Sequence, residues 1–201
     1  MFDLIQKGGP IMWPLLITSI ISLTVVLERA YFIVTVMSQR DTRIVDYVLG
    51  RVEKGEMNEA IRAGQDSKDY VARALSAGLK ERGKSLSAGL LRAANNELKR
   101  FNMGLSTLDT VITLAPLLGL LGTVTGMIRA FGLLGARELD APTVITGGIA
   151  EALIATAFGL GIAVIALIPF NFLNARMEEA RHELEDAGTH LELLLKPAHE
   201  L

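Results

Sequence analysis

The sequence predicts an all-α integral membrane protein with three transmembrane helices. Half of its 201 residues are hydrophobic, 21% are charged and the mean hydropathy is +0.38, which is high for a soluble domain of this length. Three long runs carry almost no charge, and nearly all of the 20 Lys and Arg and the 22 Asp and Glu lie outside them. A helix needs about 20 mostly apolar residues to cross a bilayer, and each run is long enough.

The predicted spans are residues 11–37, 105–134 and 146–173. As buried helices of a soluble protein, they would need several layers of amphipathic structure around them, which the rest of the chain is too short to supply. Lys7 is the only basic residue before the first run, and no cleavage site of small residues follows the run. We therefore expect the first span to remain in the protein rather than to be removed as a signal peptide.

The distribution of basic residues predicts the orientation of the spans. Segment 38–104 carries 13 Lys and Arg, whereas the loop 135–145 has Arg137 alone and residues 1–10 have Lys7 alone. Cytoplasmic loops carry the excess of Lys and Arg in membrane proteins. The expected arrangement therefore has residues 1–10 and 135–145 outside, with 38–104 and 174–201 in the cytoplasm.

The cytoplasmic segments are expected to be helical. Residues 38–83 read as short helices separated by Gly50, Gly55, Gly64 and Gly83. Two apolar stripes at spacings of three and four predict that the second and third membrane helices extend into the cytoplasm as continuous helices. The stripes consist of Leu91, Ala94, Leu98, Phe101, Leu105, Leu108 and Ile112, and of Leu173, Met177, Ala180, Leu184, Ala187, Leu191 and Leu194. Such stripes need partners, either each other or neighbouring subunits.

Small residues form one face on each of the last two spans and allow close approach of backbones. This predicts tight helix packing, within one subunit or between subunits. Pro116 and Pro169 lie inside these spans and should kink them. The small residues are Gly119, Gly122 and Gly126 on the second span and Gly148, Ala152, Gly159 and Ala163 on the third.

Hydroxyl groups mark one level of the same two spans. The helices run in opposite directions, so Thr123 and Thr156 are expected at equal depth. A single Thr usually bonds to a carbonyl one turn earlier, but a pair beside glycine-rich faces indicates a polar path. At the inner end, Asp109 and Asn171 form either a polar mouth or a solvated interface.

Glu151 is the most informative polar residue, because a carboxylate inside a span is costly and commonly marks an ion route. Two other interpretations stay open: an ion pair with Arg129 at the same depth, or a side chain that reaches the outer interface. With three spans, one subunit is a poor channel, so a path would be built between subunits or around a partner.

Several function classes are excluded by absent residues. There is no cysteine for disulfides, iron–sulfur clusters or thiolate zinc sites, and the net charge of −2 offers no footprint for nucleic acid. His182, His190 and His199 lack metal-ligand spacing, and no hydrolase or nucleotide-binding motif is present. We therefore expect no enzyme activity, metal or cofactor.

Three stretches carry a resemblance to a known family. APLLGLLGTVTGMIRAF (Ala115–Phe131), GGIAEALIATAFGL (Gly147–Leu160) and LERAYF (Leu27–Phe32) resemble the signature of the MotA/TolQ/ExbB proton-channel family, most of all its ExbB and TolQ branch. By position, Thr123 and Thr156 match the pore-facing threonines of the family, and Glu151 matches the carboxylate of its motif.

The resemblance implies a homopentamer in the bacterial inner membrane. Its central pore would hold two copies of a single-span partner of the ExbD/TolR type, whose membrane Asp carries protons and drives rotation. The force would reach a periplasm-spanning protein of the TonB/TolA type, for outer-membrane transport or envelope maintenance. The alternative is a membrane scaffold, in contact with lipids, that recruits partners through its cytoplasmic helices without an ion path.

Overall fold

The computed structural model describes residues 8–134 and 141–195, and within them it contains seven helices and no strand. The helices are α1 Met12–Ser38, α2 Thr42–Glu53, α3 Met57–Asp66, α4 Tyr70–Glu81, α5 Leu86–Asn102, α6 Leu105–Leu134 and α7 Ala141–Leu195.

Helices α1, α6 and α7 are long and apolar enough to cross a membrane. Large apolar side chains stay exposed along all three, among them Tyr31, Leu117 and Ile165. Exposed apolar surface of this extent needs an apolar environment. The predicted class, an all-helical chain with three membrane-spanning candidates, is confirmed.

The chain folds as two compact units. The first contains the N-terminal residues through Arg29 and Gly104–Phe172, and the second contains Ala30–Met103 and the residues from Leu173 onward. In the first unit, a small core holds the start of α1 against α6 and α7. It consists of Met12, Leu15 and Ala115, all essentially buried, with Ile11, Leu118, Phe158 and Ile162 packed around them.

Local capping sets where the helices of the second unit begin. The side chain of Asp41 accepts the N–H of Arg43 before α2, and Ser85 accepts the N–H of Ala88 before α5. Such caps satisfy N–H groups that have no partner inside the helix. Helices α2 and α5 therefore start at capping residues, whereas Glu56, before α3, makes no side-chain capping bond.

Asp69 is the centre of a polar network in the second unit. Its buried side chain caps α4 and pairs with Arg40, which also donates a 2.9 Å bond from Nε to Glu183. Tyr70 donates its hydroxyl hydrogen to Glu183 as well. Burial and this bond raise the pKa of Tyr70 far above its usual value. For Arg40, burial acts to lower the pKa, but the bonds to Asp69 and Glu183 outweigh it and raise the pKa.

The stripe predicted to run as one helix into the second span is interrupted, and that prediction was wrong. Helix α5 ends at Asn102, Met103 is extended, and Gly104 has φ +80° before α6 begins. This left-handed conformation is natural for glycine and cannot continue a helix. By contrast, α7 is one helix of 55 residues, beginning five residues before the predicted position 146.

The stripe predicted on α7 points inward in the second unit. Leu173, Ala180, Leu184 and Leu191 are buried there. Because every third or fourth residue lies on one side of a helix, apolar spacing alone identifies the packed face.

The predicted glycine separators are correct in two positions of four. Gly55 and Gly83 lie in turns, whereas Gly50 and Gly64 lie inside α2 and α3. A methyl group on Gly64 would be 2.5 Å from the carbonyl oxygen of Ala72, so this glycine serves helix contact instead.

Candidate functional site

Helices α6 and α7 meet through residues without side chains. A methyl group added to Gly122 would lie 2.5 Å from Cβ of Ala155, and one on Gly159 would lie 2.5 Å from the carbonyl oxygen of Ala115. A methyl group on Gly148 would lie 2.5 Å from Cβ of Ala130, and one on Gly126 would lie 3.0 Å from Cβ of Ala152. The backbones of 115–130 in α6 and 148–159 in α7 therefore approach each other closely, as small-residue faces permit.

The remaining packing candidates lie on the same two helices. Gly119 approaches Thr156, whose Cα would be 3.0 Å from a methyl group there, and Ala163 is buried. Helix α6 continues through Pro116 and α7 continues through Pro169. Proline provides no N–H, so the carbonyl one turn earlier lacks its usual partner at both places.

Thr156 joins the two helices by a hydrogen bond. Its Oγ1 donates to the carbonyl oxygen of Gly119 on α6 at 2.9 Å. Thr123 lies one turn further along α6 and donates to the carbonyl of Leu120 in its own helix at 2.6 Å. The two threonines predicted at one level thus use different carbonyls, and Thr156 bonds one helical turn away from Thr123.

Glu151 forms an ion pair with Arg129. Nη1 of Arg129 lies 2.7 Å from Oε1 of Glu151, and the two side chains are 48% and 24% exposed. Of the three interpretations that the sequence left open, the ion pair is the one this geometry contains. An opposite charge at this distance lowers the cost of keeping a carboxylate in apolar surroundings.

Gly9 is a site residue that the sequence analysis missed. It has φ +71°, and a methyl group on it would lie 1.8 Å from Oε1 of Glu151. Its carbonyl accepts the N–H of Met12 at 3.1 Å, which begins α1. The Gly8-Gly9-Pro10 sequence directly before an apolar helix was the available signal, because such dipeptides mark turns.

Asp109 and Asn171, the predicted inner-mouth residues, are both exposed. The side chain of Thr113 donates to the backbone carbonyl of Asp109, one turn earlier in α6. Among the described residues, Asp109 forms no ion pair. Its carboxylate is therefore available to solvent or to another chain.

An open depression borders Thr123. It has a volume of about 590 Å³ and is lined by Thr123, Val124, Met127, Ile128 and Phe131. The Thr123 hydroxyl is the only polar side-chain group among these residues. A helix laid along this surface would meet an apolar wall with one neutral hydrogen-bonding group.

Long stretches of α6 and α7 without charged residues determine what kind of group this site can bind. Between Asp109 and Arg129, α6 has no charged residue, and from 141 to 172 α7 has only Glu151. Glu151 is neutralised by Arg129. The middle parts of α6 and α7 therefore present hydroxyl groups in apolar, closely packed surroundings. Such a surface can exchange hydrogen bonds with a neutral or transiently charged group without trapping it.

The sequence matches the MotA/TolQ/ExbB proton channel family over residues 62–186. The putative biopolymer transport protein ExbB-like 1 of Synechocystis sp. is 36% identical over 203 residues, covering 98% of this chain and 79% of the relative. ExbB-like 3 of the same organism is 30% identical, covering 97% and 95%. The biopolymer transport protein ExbB of Neisseria gonorrhoeae is 37% identical over 93 residues, covering 46% and 42%.

Proposed function

The chain belongs to the MotA/TolQ/ExbB proton channel family, and we propose that it is the stator-like subunit of a motor driven by the proton-motive force. The observation that carries this proposal is the contact of α6 with α7, where Thr156 bonds to the Gly119 carbonyl beside the Thr123 hydroxyl. It combines close packing with neutral hydrogen-bonding groups and no unpaired charge near them.

The proposed mechanism places a membrane Asp of a partner next to these hydroxyls. Moving one charge through 100 mV is worth about 2.3 kcal/mol, and this energy is usable only where ions cannot leak past. The apolar faces of α6 and α7 supply the seal. Each threonine hydroxyl accepts from the partner carboxyl while it is protonated, and donates to the ionised form by giving up its bond to the Gly119 or Leu120 carbonyl, whereas a fixed cation would hold the ionised form in place.

We propose a homopentamer around a central pore that holds two copies of a single-span ExbD/TolR-like protein. Exposed apolar side chains on α6 and α7, such as Leu117 and Leu160, support assembly, since they need other chains or lipid around them. The assembly would lie in the bacterial inner membrane, with residues 1–10 in the periplasm and 174–201 in the cytoplasm. It would energise a TonB/TolA-like protein for outer-membrane transport or envelope maintenance.

The test compares Thr156→Ala with Thr156→Ser in cells that depend on this subunit. Both variants should assemble to the wild-type native mass and retain a small single-span protein with a membrane Asp on purification. Thr156→Ala should abolish energised transport, while Thr156→Ser, which keeps the hydroxyl, should retain most of it. Normal transport by Thr156→Ala, or the absence of any such partner, would overturn the proposal.

One observation favours the second candidate, a scaffold without an ion path. The pairing of Glu151 with Arg129 leaves this carboxylate in a structural contact rather than free to bind ions. The scaffold predicts that replacing Glu151, Thr123 and Thr156 together leaves function unchanged, while disrupting the 177–194 stripe abolishes it. The motor predicts that the triple replacement abolishes transport.

A further inference from the structure

A groove lies between α5 and α7 in the second unit, and within residues 8–134 and 141–195 no other segment lines it. It has a volume of about 230 Å³. We call it the acidic groove. It is lined by Ser87, Leu90, Leu91 and Ala94 of α5 and by Leu184, Glu185, Gly188, Thr189 and Glu192 of α7.

The groove is open because one position has no side chain. A methyl group on Gly188 would touch only Cδ1 of Leu90, at 4.0 Å. Leu90 and Leu184 are buried and form the floor, while Leu91 is 64% exposed on the rim. An exposed leucine beside an open apolar floor is a surface that gains from being covered.

Two carboxylates stand on the α7 side of the groove. Glu185 and Glu192 are seven residues apart and share one face of the helix with Gly188 and Thr189. Across the described residues, neither carboxylate has an ion-pair partner. An occupant should therefore be cationic, with an apolar part that reaches the floor.

The segment at the turn between α4 and α5 is basic, so its charge is opposite to that of the acidic groove. We call residues 80–84, which are the last two residues of α4 and the first three that follow it, the basic turn; it carries Lys80, Arg82 and Lys84, all exposed. Its single carboxylate, Glu81, is engaged by Arg92 at 3.2 Å. In the described part of the chain, the three cations form no ion pair. Long Lys and Arg stems also provide apolar methylene groups behind the charge.

We propose that the basic turn of one copy docks in the acidic groove of the next copy, so that the assembly is closed by this contact as well as within the membrane. This inference rests on the homo-oligomer of the proposed function. Within one subunit, the turn directly precedes Ser87, where the groove begins, so the two surfaces lie at nearly the same height along α5. The proposed contact requires a ring axis near parallel to α5, because rotation about such an axis would preserve that height and bring the turn of one copy level with the groove of its neighbour.

The contact also has the type of symmetry that a ring requires. A twofold dimer pairs the same patch on both copies, whereas a ring pairs two different patches of each subunit. Here the two patches differ in position and have opposite charge. Anionic lipid is disfavoured as an occupant because Glu185 and Glu192 would repel its head group.

Cross-linking between differently tagged copies tests the contact directly, since the chain has no cysteine of its own. Gly83→Cys goes into one copy and Thr189→Cys into the other, which leaves every charged residue in place. Oxidation should join the two tags in one band, because docking brings the Cα atoms within disulfide range, roughly 4–7 Å. The control replaces Thr189→Cys by Gly50→Cys, another open position in the second unit, and should give no joined band.

Charge and shape variants then test the reason for the contact. Glu185→Lys with Glu192→Lys should lower the cross-link yield by about fivefold, and adding Lys80→Glu with Lys84→Glu should restore it. Gly188→Leu should fill the groove and abolish the cross-link, whereas Gly188→Ala should retain it. Native mass is measured on each sample. In the sample with Gly83→Cys and Thr189→Cys, which keeps every charge, an intact oligomer without the cross-link would overturn this contact alone, and a monomer would overturn the contact together with the proposed assembly.

Discussion

The backbone of Gly9 lies directly against the carboxylate of Glu151, so that a methyl group on Gly9 would be 1.8 Å from Oε1. Gly9 has φ +71°, which residues with a Cβ adopt only at a cost. The segment before α1 and the N-terminal part of α7 are therefore fitted to each other by the absence of a side chain.

Gly9→Ala should destabilise the first unit by about 1–3 kcal/mol, because both the clash and the backbone conformation oppose it. Thermal unfolding in detergent measures the effect. Adding Glu151→Ala removes the atoms that the methyl group meets, so the double variant should lose less than the sum of the single losses. Additive losses would show that the carboxylate is not the obstacle.

Arg129 and Glu151 should be energetically coupled. In a double-mutant cycle with Arg129→Met and Glu151→Gln, the coupling should be about 1 kcal/mol, since both side chains are partly exposed. Arg129→Met alone should impair the protein more than the double variant, because it leaves an unpaired carboxylate in apolar surroundings. A coupling near zero, measured by thermal unfolding, would contradict the ion pair.

Two neighbouring glycines on α7 should respond differently to the same substitution. Gly159→Ala should cost about 1–3 kcal/mol, because its methyl group meets the Ala115 carbonyl at 2.5 Å. Gly161→Ala is the matched control, because nothing lies within 4 Å of its position. Resistance of the folded subunit to denaturing detergent separates the two. Equal effects would mean that close packing of α6 and α7 is not what Gly159 provides.

Tyr70 should make the second unit sensitive to alkali. Its pKa is raised in the folded protein by burial and by the bond to Glu183. The stabilisation is therefore complete below the ordinary phenol pKa of about 10, and it is lost as the pH rises through the folded pKa.

Stability curves above pH of about 10 check this prediction for Tyr70. Tyr70→Phe should flatten the alkaline fall in stability. The control is Tyr47→Phe, whose phenol also has a raised pKa, through its bond to Glu59, but is open to solvent. A Tyr47→Phe curve as flat as that of Tyr70→Phe would contradict the assignment.

Features that depend on residues close together in the chain could be predicted from the sequence. Span length and apolar spacing are local properties, and they identified three helices long and apolar enough to cross a membrane and the inward face of Leu173, Leu184 and Leu191. The resemblance of residues 115–131 and 147–160 likewise indicated the family that the comparison confirmed. Unusual polar residues in apolar runs pointed to Thr156 and Glu151, because such residues are costly there.

The partner of each polar group was decided only by the tertiary structure. Thr156 bonds to the carbonyl of Gly119 and Thr123 to that of Leu120, since a shift of a few ångströms between two helices changes which carbonyl is in reach. Of the fates open to Glu151, the structure contains the pair with Arg129 and the close approach of Gly9. The break at Gly104 depends on a left-handed backbone conformation that apolar periodicity does not encode. The spacing of apolar residues within each helix thus determined the helices and their inward faces. The offset between packed helices determined which groups of the site are in contact.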